Sequence, residues 1–184
     1  MKKILAFFLV VCMLAALSGC SGKMTATEKF LISVKKMDFT AMKNELIPDE
    51  NLGSLYLKLE TVPEEDTLLA LRSLYALAHY TMGEISELRG GVRMVNVTLK
   101  VPDMERICNL VRVEAMVSAN SAEQIIADMI ADGSIINTMM LENTFSVKMK
   151  EENGVWKIPY EDKENEAFAQ ALAIENMIEF FIKY

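Results

Sequence analysis

The side chains here with chemistry to offer are few: three cysteines, one histidine and a handful of carboxylate runs. Cys108 sits among Ile107, Leu110 and Val111 and reads as a small buried hydrophobe, not a reactive thiol. His79 lies on an apolar stripe with Tyr75, Ala78 and Tyr80, where it could serve as a base beside a tyrosine hydroxyl. With no second histidine or paired cysteine it makes a poor zinc site, and a packed or rim role is favoured. Glu64-Glu65-Asp66 and Glu161-Asp162-Lys163-Glu164 lack the alternating aspartates and glycine of a calcium loop and read as first-turn acids that favour a helix N-terminus. The chain has no glycine-rich phosphate loop, no Gly-x-Ser-x-Gly elbow and no His-Glu-x-x-His signature. Catalytic residues and metal ligands are therefore expected to be none. Most methionines, Met139-Met140 among them, fall on buried stripes, which favours core filling over a soft-metal site or an adaptable surface. Trp156 and Tyr160 could stack on a ligand, although a tryptophan in a short strand against a helix reads first as core. The candidates for ligand contact are Trp156, Tyr75 and His79.

The remaining cysteine has the most informative setting. Lys2 and Lys3 precede an uncharged apolar run from Ile4 to Leu17, which ends in Leu17-Ser18-Gly19-Cys20. A membrane span needs about 20 apolar residues to cross about 30 Å of hydrocarbon, and this run is too short. Charged start, apolar run and small residues are the parts of a secretory signal. The tetrapeptide resembles the lipobox of bacterial lipoproteins. That resemblance implies cleavage between Gly19 and Cys20, a diacylglyceryl group on the Cys20 thiol and an acyl chain, such as palmitate, on its new N-terminus. Two acyl chains, at about 0.8 kcal/mol per buried methylene, hold a domain durably on a membrane where one would not. The expected organisation is a signal peptide over 1–19, a lipidated N-terminus and short linker over 20–24, and one domain over 25–184. The expected location is the outer face of the bacterial cell membrane. Apart from the covalent lipid on Cys20, no cofactor is expected.

The formal net charge of -7 includes Lys2 and Lys3, so the chain beyond the signal is more acidic still. That argues against a nucleic-acid partner or an anionic-lipid face. Only Cys108 would remain as a thiol, so no intramolecular disulfide can form.

The order of elements is predicted from periodicity. Thr25-Ala26-Thr27-Glu28 fits a capping box before the helical stripe Phe30, Leu31, Val34 and Met37. A second helix starts at Asp38 and ends at Pro48, and Leu52, Leu55, Tyr56 and Leu59 form a third stripe. Pro63 opens a helix through Leu68, Leu71, Tyr75, Ala78 and Met82 that is apolar nearly all round, hence covered on most sides, with Gly83 as its left-handed cap. After the Gly90-Gly91 turn, Val95, Val97, Leu99 and Val101 alternate as a strand, with residues 84–89 as its partner. Helices follow from Asp103 to about Ala119 and from Ser121 to Gly133. Met139, Leu141, Phe145, Val147 and Met149 face one way on a long strand, Asn153-Gly154 is a hairpin turn, and Val155–Ile158 returns. A closing helix from about Asp162 buries Phe168, Ala171, Ile174, Ile178 and Phe181. Helices, hairpin, helices, hairpin, helix is an α+β order, with a curved, mainly antiparallel sheet of about four strands.

Thr27-Glu28-Lys29-Phe30-Leu31, Lys35-Lys36-Met37-Asp38-Phe39 and Val147-Lys148-Met149-Lys150 with Gly154-Val155-Trp156-Lys157-Ile158 resemble uncharacterised lipoproteins of Gram-positive, clostridial-type bacteria. Similar openings and Gly-x-Trp-Lys-Ile endings occur in extracytoplasmic domains of the nuclear-transport-factor-2-like superfamily, which have a cystatin-like roll. The resemblance implies helices packed in the concave side of a curved sheet and assigns no catalytic residue. The expected role is non-catalytic binding or scaffolding at the membrane, with an envelope protein or a small apolar ligand as partner. The alternative is an enzyme of that superfamily, in which a pocket Asp or His takes a proton from an apolar substrate.

Overall fold

Each of the first helices begins where a short polar side chain can take up a free N–H. In the computed structural model, which describes residues 24–51 and 53–183, the Thr25 hydroxyl accepts from the Glu28 N–H at 3.1 Å to open α1, Ala26–Lys36. The Asp38 carboxylate accepts from the Ala41 N–H at 3.0 Å to open α2, Phe39–Asn44. That helix stops before Pro48, because Leu46 leaves it to form a parallel bridge with Ile158. Helix α3, Leu55–Lys58, is capped twice, by Ser54 from within and by Glu161, whose carboxylate accepts from the Leu55 N–H at 2.9 Å. Leu52 falls outside the described residues.

Helix α4 runs Glu65–Ala76 and stops six residues short of Met82. Strand β1, His79–Leu88, takes over, so His79 opens a strand and does not sit on a helix. Tyr80 and Met82 satisfy both a helical and an alternating pattern. The ladder decides, because Tyr80 pairs with Leu99 and Met82 with Val97 on the core face. Gly83 is no helix cap: the register shifts between Met82 and Ile85, leaving Gly83 and Glu84 opposite Asn96 in a bulge. A Cβ on Gly83 would meet the Asn96 Cβ at 3.1 Å, so glycine is needed for this close approach. Nor is α4 covered all round, since Leu69 is 59% exposed.

Strand β2, Val92–Pro102, leads through α5, Met104–Val117, α6, Ala122–Ala131, and the short α7, Ser134–Thr138, to β3, Met140–Glu152. The strands β2 and β3 pair antiparallel over their length, from Val92 with Lys150 to Pro102 with Met140. Strand β4, Val155–Lys157, completes an antiparallel sheet in the order β1-β2-β3-β4. The turn before it has positive φ at Asn153 and Gly154, 52° and 79°, as an Asn-Gly hairpin requires. The fold is α+β, as its element order predicts.

The closing helix is two helices. A single 3-10 turn, Lys163–Asn165, leads into α8, Glu166–Leu172, and after Ala173 the chain continues as α9, Ile174–Lys183. Ala173 has φ 50°, a left-handed conformation that costs an alanine roughly 1 kcal/mol. Burying Ile174, Met177 and Ile178 together offsets that cost, because the break re-aims α9. Ala171, expected in the buried stripe, is only half-buried. The core joins Phe30 of α1, Tyr160 and Phe168 of α8, with ring centroids 5.6 to 6.5 Å apart. Beneath them lie Val95, Val97, Leu99 and Val147 of the sheet. No helix among the described residues is long and apolar enough to cross a membrane.

Candidate functional site

The residues with most freedom to meet a ligand lie where the core face of the sheet runs out. Leu141, at the start of β3, pairs with Val101 on the core face yet is 46% exposed, against its expected burial. Helices α5 and α9 stand apart there, leaving a groove of about 620 Å³. Its apolar lining is Met104, Cys108, Leu141, Met177 and Phe180, and Asp103, Glu105, Arg112 and Glu179 supply charge at its sides. Asp103 fixes this wall by accepting from the Arg106 N–H at 3.0 Å, while the Arg106 guanidinium donates to the Thr138 carbonyl at 2.9 Å. The Cys108 thiol points at the Met177 sulfur, 3.4 Å away. Burial pushes that thiol up from its ordinary pKa, and nearby Arg112 pulls the other way. The groove can take an apolar group with a polar end.

A second constellation lies on another side of α9. Lys58 is 2.8 Å from a Glu179 carboxylate oxygen and 3.6 Å from Glu175. Burial raises the Glu175 carboxyl above its ordinary range, neighbouring Glu161 raises it further, and Lys58 opposes both. Burial disfavours the charge on Lys58, but Glu179 and Glu175 outweigh it and hold the ammonium above the usual lysine range. Among the described residues, one Glu175 oxygen is buried without a hydrogen-bond partner.

The three expected ligand-contact residues are not brought together. Tyr75 is fully buried, and its hydroxyl donates to the Leu172 carbonyl at 2.8 Å, tying α4 to the end of α8. Burial drives its phenol far above the ordinary range, so it stands as a neutral structural donor. His79 is exposed at the first position of β1, opposite Lys100. Trp156 is half-buried in β4 opposite Glu151, with the Arg93 guanidinium 4.1 Å from the ring centroid and Arg93 in turn paired with Glu87. Seven strand residues separate Arg93 from Lys100, so the histidine and tryptophan lie roughly 23 Å apart along the sheet. Gly19 and Cys20 fall outside the described residues.

The acid runs serve structure. Asp162 caps the 3-10 turn and accepts from Lys148 at 3.0 Å and Lys150 at 3.2 Å. The Lys148 hydrogen bond leads in holding its carboxyl below the ordinary range. Glu65 and Asp66 occupy the first turn of α4. Sequence reasoning missed the groove, whose walls come from distant segments. The one available signal was the i, i+4 spacing of Met104 and Cys108, which puts both sulfurs on one face of α5.

No protein-family model matches the sequence, and no curated protein matches it. Among solved structures the chain is similar to YcdA of Bacillus subtilis, a candidate lipoprotein, at 14% identity and a TM-score of 0.37. The alignment covers 79% of this chain and 57% of that one, so the chain spans less than two thirds of that protein's length. A similarity of this size carries no argument about fold or function. The nuclear-transport-factor-2-like resemblance rests on the sequence segments that suggested it.

Proposed function

We propose that this chain is a lipoprotein of the outer face of the cell membrane that acts by binding or scaffolding, without catalysis. The observation that carries the reading is Leu17-Ser18-Gly19-Cys20 at the end of an apolar run too short to span a bilayer. The position of α1 supports it, because Thr25 already caps a helix five positions after Cys20. A linker of that length reaches about 10 Å and keeps the domain beside the membrane. The binding reading is supported by the groove between α5 and α9, which is apolar with charged sides, and by the scatter of Tyr75, His79 and Trp156. General acid–base chemistry needs a titratable group beside an orienting partner. The partner is an envelope protein or a small apolar ligand.

The test is growth with labelled palmitate of cells carrying the wild-type chain or Cys20→Ala. Label and membrane association are expected in the wild type and lost in the variant. Label still incorporated into Cys20→Ala overturns the reading.

A further inference from the structure

We infer that the groove between α5 and α9 holds a soft-metal site, in which Met104, Cys108 and Met177 bind one copper(I) ion. The Cys108 and Met177 sulfurs already stand 3.4 Å apart on facing helices. Two sulfurs each about 2.3 Å from one ion stand at most about 4.6 Å apart, so this separation lets a single ion bridge them. Met104 precedes Cys108 by one helical turn and lines the same groove, which adds a third sulfur from the same wall. All three are nearly buried, at 4%, 8% and 0% exposure, while the groove beside them opens to solvent and supplies the entry path.

The donor set selects the metal. One thiol and two thioethers are soft and carry at most one negative charge, which matches copper(I) and suits neither calcium nor magnesium, which take oxygen. Zinc takes thiolate, imidazole and carboxylate and is poorly served by thioethers. Binding is a ligand exchange with no electron transfer. The Cys108 S–H bond breaks, its proton leaves to solvent, and the sulfur lone pair bonds the ion. The two methionine sulfurs each donate a lone pair.

The test is an anaerobic titration of the full chain with the coloured copper(I)–bicinchoninate complex, comparing wild type with Cys108→Ala and Met177→Leu. Because Cys12, Cys20 and other methionines can take copper, the difference between chains is the readout. Wild type is expected to withdraw one equivalent more than Cys108→Ala, and Met177→Leu, which keeps the side-chain volume, to bind that equivalent at least tenfold more weakly. Equal withdrawal by wild type and Cys108→Ala leaves the sulfurs as packing atoms and overturns the proposal. Wild-type affinity in Met177→Leu overturns the three-sulfur set, and remains readable if Cys108→Ala does not fold.

Discussion

Asn165 completes the edge of β3 where the last strand is too short to do so: its side-chain oxygen accepts from the Lys148 N–H at 2.8 Å and its amide nitrogen donates to the Lys148 carbonyl at 3.1 Å. Strand β4 reaches only as far as the Lys150 pairing, so one side chain does a strand's hydrogen bonding at the next position. The same nitrogen donates to the Pro159 carbonyl at 2.9 Å, and the residue is fully buried. An unpaired buried backbone group costs about 1–3 kcal/mol. Asn165→Ala strands three at once and is expected to lose about 3 kcal/mol or more in a urea titration. Asn165→Asp keeps an acceptor for Lys148 but sets carboxylate oxygen against two carbonyls, and is expected to fare no better.

Trp156 calls for a smaller figure than a core tryptophan. Full burial would put Trp156→Ala at about 3–5 kcal/mol. The indole is instead half-buried under Arg93, which combines partial apolar burial with a cation–π contact of about 0.5–1 kcal/mol. The expected loss is about 1–2 kcal/mol. Arg93→Ala should then reduce the further cost of Trp156→Ala in a double-mutant cycle, whereas additive losses would show that the two side chains do not interact.

Elements set by local chemistry were legible in the sequence. Thr25, Asp38 and Ser121 cap helices from within a few residues, Asn153-Gly154 turns a hairpin, and Val95 to Val101 alternate, so a short window holds the whole signal. Where two patterns overlap, distant partners decide. Tyr80 and Met82 fitted the helix before them until β2 claimed them, and Ala173 carries no mark of the break that lets α9 pack. The candidate site was mostly hidden for the same reason. Cys108 meets Met177 across 69 positions, and Leu55 meets Glu161 across 106.

Asp38 and His79 separate a structural polar residue from a surface one. The Asp38 carboxylate caps α2, so Asp38→Ala is expected to cost about 1 kcal/mol, with Asp38→Asn recovering most of it. His79 is exposed at the start of an edge strand, and His79→Ala is expected to stay within about 0.5 kcal/mol of wild type. Chemical denaturation of both variants checks the pair.

Glu175 makes the fold depend on pH in the direction opposite to an ordinary ion-paired acid. Burial and the neighbouring Glu161 raise its folded pKa above the unfolded value. Between those two values the folded state binds more protons than the unfolded state, so stability falls as pH rises through that window. Above the folded pKa the penalty is complete, and below the unfolded value it is absent. Asp162 works the other way: its folded pKa is depressed, chiefly by Lys148, so its contribution is present above the unfolded value and lost as pH falls. Glu175→Gln removes a buried charge beside another carboxylate while leaving Lys58 its contact with Glu179. The variant is expected to be more stable than wild type near neutral pH, with the gain shrinking as the medium is acidified toward the ordinary glutamate range. Urea titrations of both chains at several pH values measure it. A gain that does not change with pH would place the cause in packing and not in the Glu175 proton.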